Sequence, residues 1–106
     1  MKKQYFKIGD EEVSPLFNNL VSTRLLIFRK IQLESSGVLS RFMCMEDSTA
    51  LIYFALDEGY WEETGRRLPF TIESFLKLID FQMYLNILLY LQQLIPGGIM
   101  AGLIEN

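Results

Sequence analysis

From Phe81 to Ile104 the chain runs 24 positions without a charged side chain. A membrane-spanning helix needs about 20 mostly apolar residues, so the run is long enough to raise that reading. Its interior argues otherwise. Gln82, Asn86, Gln92 and Gln93 interrupt it, and Pro96-Gly97-Gly98 stops a helix two-thirds of the way along. Gln82, Asn86 and Gln93 also share one helical face, the pattern of a mostly buried helix in a soluble domain with a thin wet stripe. The expectation is therefore a long C-terminal helix. Thr71 is its cap and Glu73 lies in its first turn, where the helix dipole favours an acid. Phe75, Leu76, Leu78, Ile79, Met83, Ile87, Leu88, Leu91, Leu94 and Ile95 give it a wide apolar face. Ile99–Ile104 follows as an apolar tail that can dock as a strand or cover a partner.

The chain has 106 residues, half of them hydrophobic. That is enough for one domain, residues 1–106, and too short for two. Residues 4–8 are expected as a short strand, with Asp10-Glu11-Glu12 as a polar break. Ser14-Pro15 has the form of a helix start, since Ser caps free amides and Pro suits the first helical position. Leu16, Phe17, Leu20 and Val21 then recur at helical spacing, which predicts a short helix to about residue 22.

The middle has turn signals roughly every ten residues, the usual mark of antiparallel strands. Leu25–Leu33, Val38–Met45 and the apolar run Ala50–Leu56 are the expected strands, with turns at Ser35-Ser36-Gly37 and Glu46-Asp47-Ser48. Asp57-Glu58-Gly59 suits a hairpin loop with Gly59 left-handed, and Tyr60–Thr64 a charged edge strand. The fold class expected is α+β: an antiparallel β-meander with a short N-terminal helix and a long C-terminal helix packed on one face. An all-α arrangement is the alternative. In it Asp47-Ser48 caps a helix through Leu56 that Gly59 ends. Against it, such a helix would be apolar all round and would carry Asp57 and Glu58 at its C-terminus, where the dipole disfavours acids.

Composition limits the chemistry. There is no histidine, which removes Ser-His-Asp and Cys-His catalysis and the usual zinc ligand sets. Cys44 is the single cysteine, so no disulfide forms within the chain, and among Phe42, Met43 and Met45 it fits a buried hydrophobe. No export signal precedes Asp10, and a lone thiol suits a reducing compartment, so the expected location is cytoplasmic. Pro96-Gly97-Gly98 lacks the lysine and following helix of a phosphate loop. Glu62 and Glu63 would point to opposite faces of a strand, and the acids of the segment lack the spacing of a calcium loop. No enzyme activity, cofactor or metal is expected.

The net charge is −3, too acidic for the basic face that nucleic acid requires. The acid is concentrated. Residues 57–63 hold Asp57, Glu58, Glu62 and Glu63 around Tyr60 and Trp61, the only tryptophan. Aromatics with a polar tip dominate interface energetics, and surrounding carboxylates steer a basic partner. Asp57, Glu58, Tyr60, Trp61, Glu62 and Glu63 are the expected partner-binding residues. Arg66-Arg67 beside them is expected to pair with Glu62 and Glu63.

In size, charge and this patch, the profile resembles that of small bacterial inhibitor proteins. Immunity proteins that neutralise nuclease toxins are one such group. The likeness rests on no aligned motif and transfers no residue role. It implies a non-catalytic protein that occludes the basic active site of a protein partner, as a monomer in a 1:1 complex. The alternative is a small secretion-type chaperone or assembly subunit that uses an apolar C-terminal helix surface, such proteins usually being homodimers.

Overall fold

A computed structural model of the protein describes residues 3–36 and 45–95, with side chains over 3–30 and 48–95. Strand β1 (Phe6–Ile8) pairs antiparallel with β2 (Glu11–Val13), Phe6 opposite Val13 and Ile8 opposite Glu11. The two-residue turn Gly9-Asp10 needs a positive φ at its first position, and Gly9 supplies it at +61°. Phe6, Ile8 and Val13 face inward and Lys7 outward, so this hairpin buries one side only. The strand expected at residues 4–8 is thus present, and the polar break is its turn and partner strand.

After the hairpin the chain is helical. Helix α1 is Asn19–Ser36, α2 is Met45–Thr64, α3 is Ile72–Leu78 and α4 is Phe81–Leu94. Among the described residues the architecture is therefore four helices and one two-stranded antiparallel sheet. The β-meander is not formed over those residues. Leu25–Leu33 belongs to α1, and Ala50–Leu56 and Tyr60–Thr64 belong to α2. The expected strand Val38–Met45 and the tail Ile99–Ile104 lie outside the described residues but for Met45, which opens α2.

Why helix prevails over 45–64 follows from position. Helix α2 lies against α1, α3, α4 and β2. An all-round apolar helix is disfavoured at a surface and required at a centre. Leu51, Ile52, Ala55 and Leu56 are each at most 1% exposed. The dipole objection fails as well, because the helix continues to Thr64 and Asp57 and Glu58 are not at its end. Gly65, at φ +73°, closes it with its N–H donated to the Trp61 carbonyl at 2.8 Å.

Gly59 has a different task from the expected left-handed turn. It sits inside α2, where the link Ser14–Phe17 crosses. The Leu16 N–H donates to the Ala55 carbonyl at 3.0 Å, and a Cβ on Gly59 would lie 1.9 Å from the Ser14 oxygen. Ser14 and Pro15 are accordingly buried in an extended link, and the helix start moves to Asn18, whose Oδ1 accepts the Val21 N–H at 3.1 Å. Helix α1 then buries Val21 and Leu25, a step of four, and packs Phe28 edge-on against Phe54 of α2.

The single C-terminal helix is in fact two. Thr71 caps α3 as expected, accepting the Ser74 N–H at 3.2 Å. The chain then breaks at Ile79, and Asp80 caps α4 by accepting the Met83 N–H at 2.8 Å. Helix α4 ends at Leu94 with Ile95 extended, the conformation a residue before proline prefers. No helix among the described residues is long and apolar enough to cross a membrane.

Candidate functional site

The residues singled out in the sequence divide between interior and surface. Asp57 and Glu58 are each 3% exposed. Asp57 Oδ2 accepts from Arg24 Nη1 at 2.8 Å and from Arg67 Nη1 at 3.0 Å, while its Oδ1 accepts the Leu68 N–H at 2.9 Å. Glu58 Oε2 accepts from the same two nitrogens at 2.7 and 2.8 Å. Two carboxylates and two guanidiniums thus form one neutral cluster that ties α1, α2 and the loop before α3 together. Arg24 also lies 4.5 Å over the Phe54 ring, and Arg67 4.7 Å over Trp61. Arg67 therefore takes the inner acids, not Glu62 or Glu63. Burial opposes its charge, and the Glu58 hydrogen bond and charge outweigh that, so its pKa is raised.

The other members fall around the end of α2. Tyr60 is buried, and its hydroxyl donates to Glu11 of β2 at 3.0 Å, a bond that raises the phenol pKa. Glu63 Oε2 accepts from the Tyr5 hydroxyl at 2.7 Å and from Lys3 Nζ at 2.9 Å. These bonds, Tyr5 first, hold the Glu63 carboxyl below its ordinary value, and they raise Tyr5 and Lys3 in turn. Trp61 and Glu62 are exposed. The expected patch of four acids around two aromatics is therefore not one surface. Asp57, Glu58 and Tyr60 face the interior because α2 continues through them beside the core, whereas the expected hairpin loop would have left Asp57 and Glu58 at the surface. What solvent meets is Trp61 and Glu62 with part of Glu63. Among the described residues no group of three or more acids or cysteines is placed to hold a metal ion. Cys44 lies outside the described residues.

A second surface lies on α4, and it is apolar. Phe81 is 65% exposed, Leu85 37% and Leu89 63%. They recur every four residues, so they form one ridge about 12 Å long from first to last. The opposite face buries Tyr84, Ile87, Tyr90 and Leu91 against the core. Beside the ridge, Gln82 Nε2 donates to Asn86 Oδ1 at 3.1 Å. At its N-terminal end, Leu76, Ile79, Asp80, Phe81 and Tyr84 line an open hollow of about 180 Å³. A second open hollow, of about 250 Å³, lies between Arg24, Ile27, Phe28 and Phe54.

Sequence reasoning passed over the ridge. The apolar face expected for the C-terminal helix omits Phe81, Leu85 and Leu89. The signal was present: α4 has more large apolar residues than one buried face accommodates, and the surplus falls at steps of four. Arg24 was likewise missed as the partner of Asp57, because nothing local marks an ion pair across 33 residues. No protein-family model matches the chain, and neither a curated protein nor a solved structure shows a significant match.

Proposed function

We propose that the protein is a non-catalytic binding protein that holds an apolar segment of a partner protein, as a small assembly or secretion-type chaperone does. The observation that carries this reading is the α4 ridge of Phe81, Leu85 and Leu89, with Phe81 and Leu89 nearly two-thirds exposed. Contiguous exposed apolar side chains rimmed by polar groups mark interaction surfaces more often than chance exposure does. Helix α4 carries no charged residue, so what it recognises is apolar, a helix face or extended segment laid along the ridge. Gln82 and Asn86 beside it supply hydrogen bonds that fix the partner's register.

The test is co-purification of the tagged protein with the product of its neighbouring gene, followed over a salt gradient. An apolar contact holds or tightens as salt rises, and Leu89→Glu abolishes it while Glu62→Lys does not. A complex that loosens with salt and survives Leu89→Glu would overturn the reading.

That second outcome belongs to the inhibitor reading, an immunity-type protein covering a basic, nuclease-type toxin in a 1:1 complex. The exposed Trp61 beside Glu62 favours it, since an aromatic flanked by an acid suits a basic partner. Its electrostatic part is weakened by Arg24 and Arg67, which already neutralise Asp57 and Glu58. The α4 ridge is the larger unsatisfied surface, with three exposed large apolar side chains against the single Trp61.

A further inference from the structure

We draw no further inference here: the strongest candidate, the outward apolar ridge of Phe81, Leu85 and Leu89 on α4 with the open hollow at its N-terminal end, belongs to the site already described, and nothing in the structure shows what covers it.

Discussion

Residues 57–63 and residues 81–89 are both stretches of helix, and their roles are the reverse of their appearance in the sequence. The first is rich in acids and aromatics and looks like a binding patch, yet Asp57, Glu58 and Tyr60 are buried. The second is uncharged and looks like the inside of a core helix, yet Phe81 and Leu89 are among the most exposed large apolar residues described. The difference lies in what each helix packs against. Helix α2 lies against α1, α3, α4 and β2, so from Thr49 to Tyr60 it is buried but for Tyr53, and its inner acids Asp57 and Glu58 need internal cations. Helix α4 has the core on one side only, and its surplus of apolar residues is left facing out.

If α2 is the enclosed helix, the largest effects come from disturbing it. Gly59→Ala places a methyl 1.9 Å from the Ser14 carbonyl oxygen, a backbone atom that cannot swing aside. The link Ser14–Phe17 must lift from α2, and the Leu16–Ala55 hydrogen bond goes with it. The expected loss is about 3 kcal/mol or more, measured by urea unfolding. A stability near wild type would mean the link does not cross at Gly59.

Next in size is the ionic cluster. Asp57→Ala leaves Arg24 and Arg67 with Glu58 alone and the Leu68 N–H unmet, and a buried donor left without its partner costs about 1–3 kcal/mol. Arg67 is half exposed, so Arg67→Ala should cost only about 1 kcal/mol. If residues 57 and 58 were surface contacts, the same Asp57 substitution would slow association with a basic partner and leave unfolding unchanged. Urea unfolding and association kinetics on one pair of variants decide between the two.

These variants also mark where the sequence was legible. Local chemistry was readable: the strand at Phe6–Ile8, the Thr71 cap, the end of the last helix before Pro96. Each depends on neighbours within a few residues. The Asp80 cap was just as local, but a helix pattern continuing on both sides hid it. What could not be read depends on distant partners. Asp57 looks like a turn residue until Arg24 is placed beside it, and the apolar run Ala50–Leu56 fits a strand or a helix until its surroundings are known. The same limit applied to the ridge, since an apolar residue announces burial and not which neighbour will cover it.

The outward face of α4 predicts the opposite of α2. Leu89→Glu should change unfolding free energy by less than about 0.5 kcal/mol, because Leu89 is 63% exposed and leaves little behind in the core. Its effect should be confined to association. A large loss of stability would mean that Leu89 is covered within the monomer, and the contrast between the two helices would collapse.

The smallest effect sharpens the comparison at the boundary of α2. Glu63 is bonded by Tyr5 and Lys3 near the surface, and its carboxyl is held below its ordinary 4.5. A lowered carboxyl stabilises the fold above its unfolded value and ceases to as pH falls through the folded one. Wild type should therefore exceed Glu63→Gln slightly in urea midpoint at neutral pH, and the two should converge as pH falls below the ordinary value. Tyr5 works at the other end: its raised phenol stabilises below 10.0, and that contribution is lost as pH rises through the folded value. Both contributions sit where solvent reaches them, so salt should shrink the Glu63 difference. Asp57, whose carboxylate is itself shielded from solvent, should keep its effect at the same salt. If salt shrinks both alike, Asp57 is not enclosed, and the division of α2 into an inner cluster and an outer edge fails.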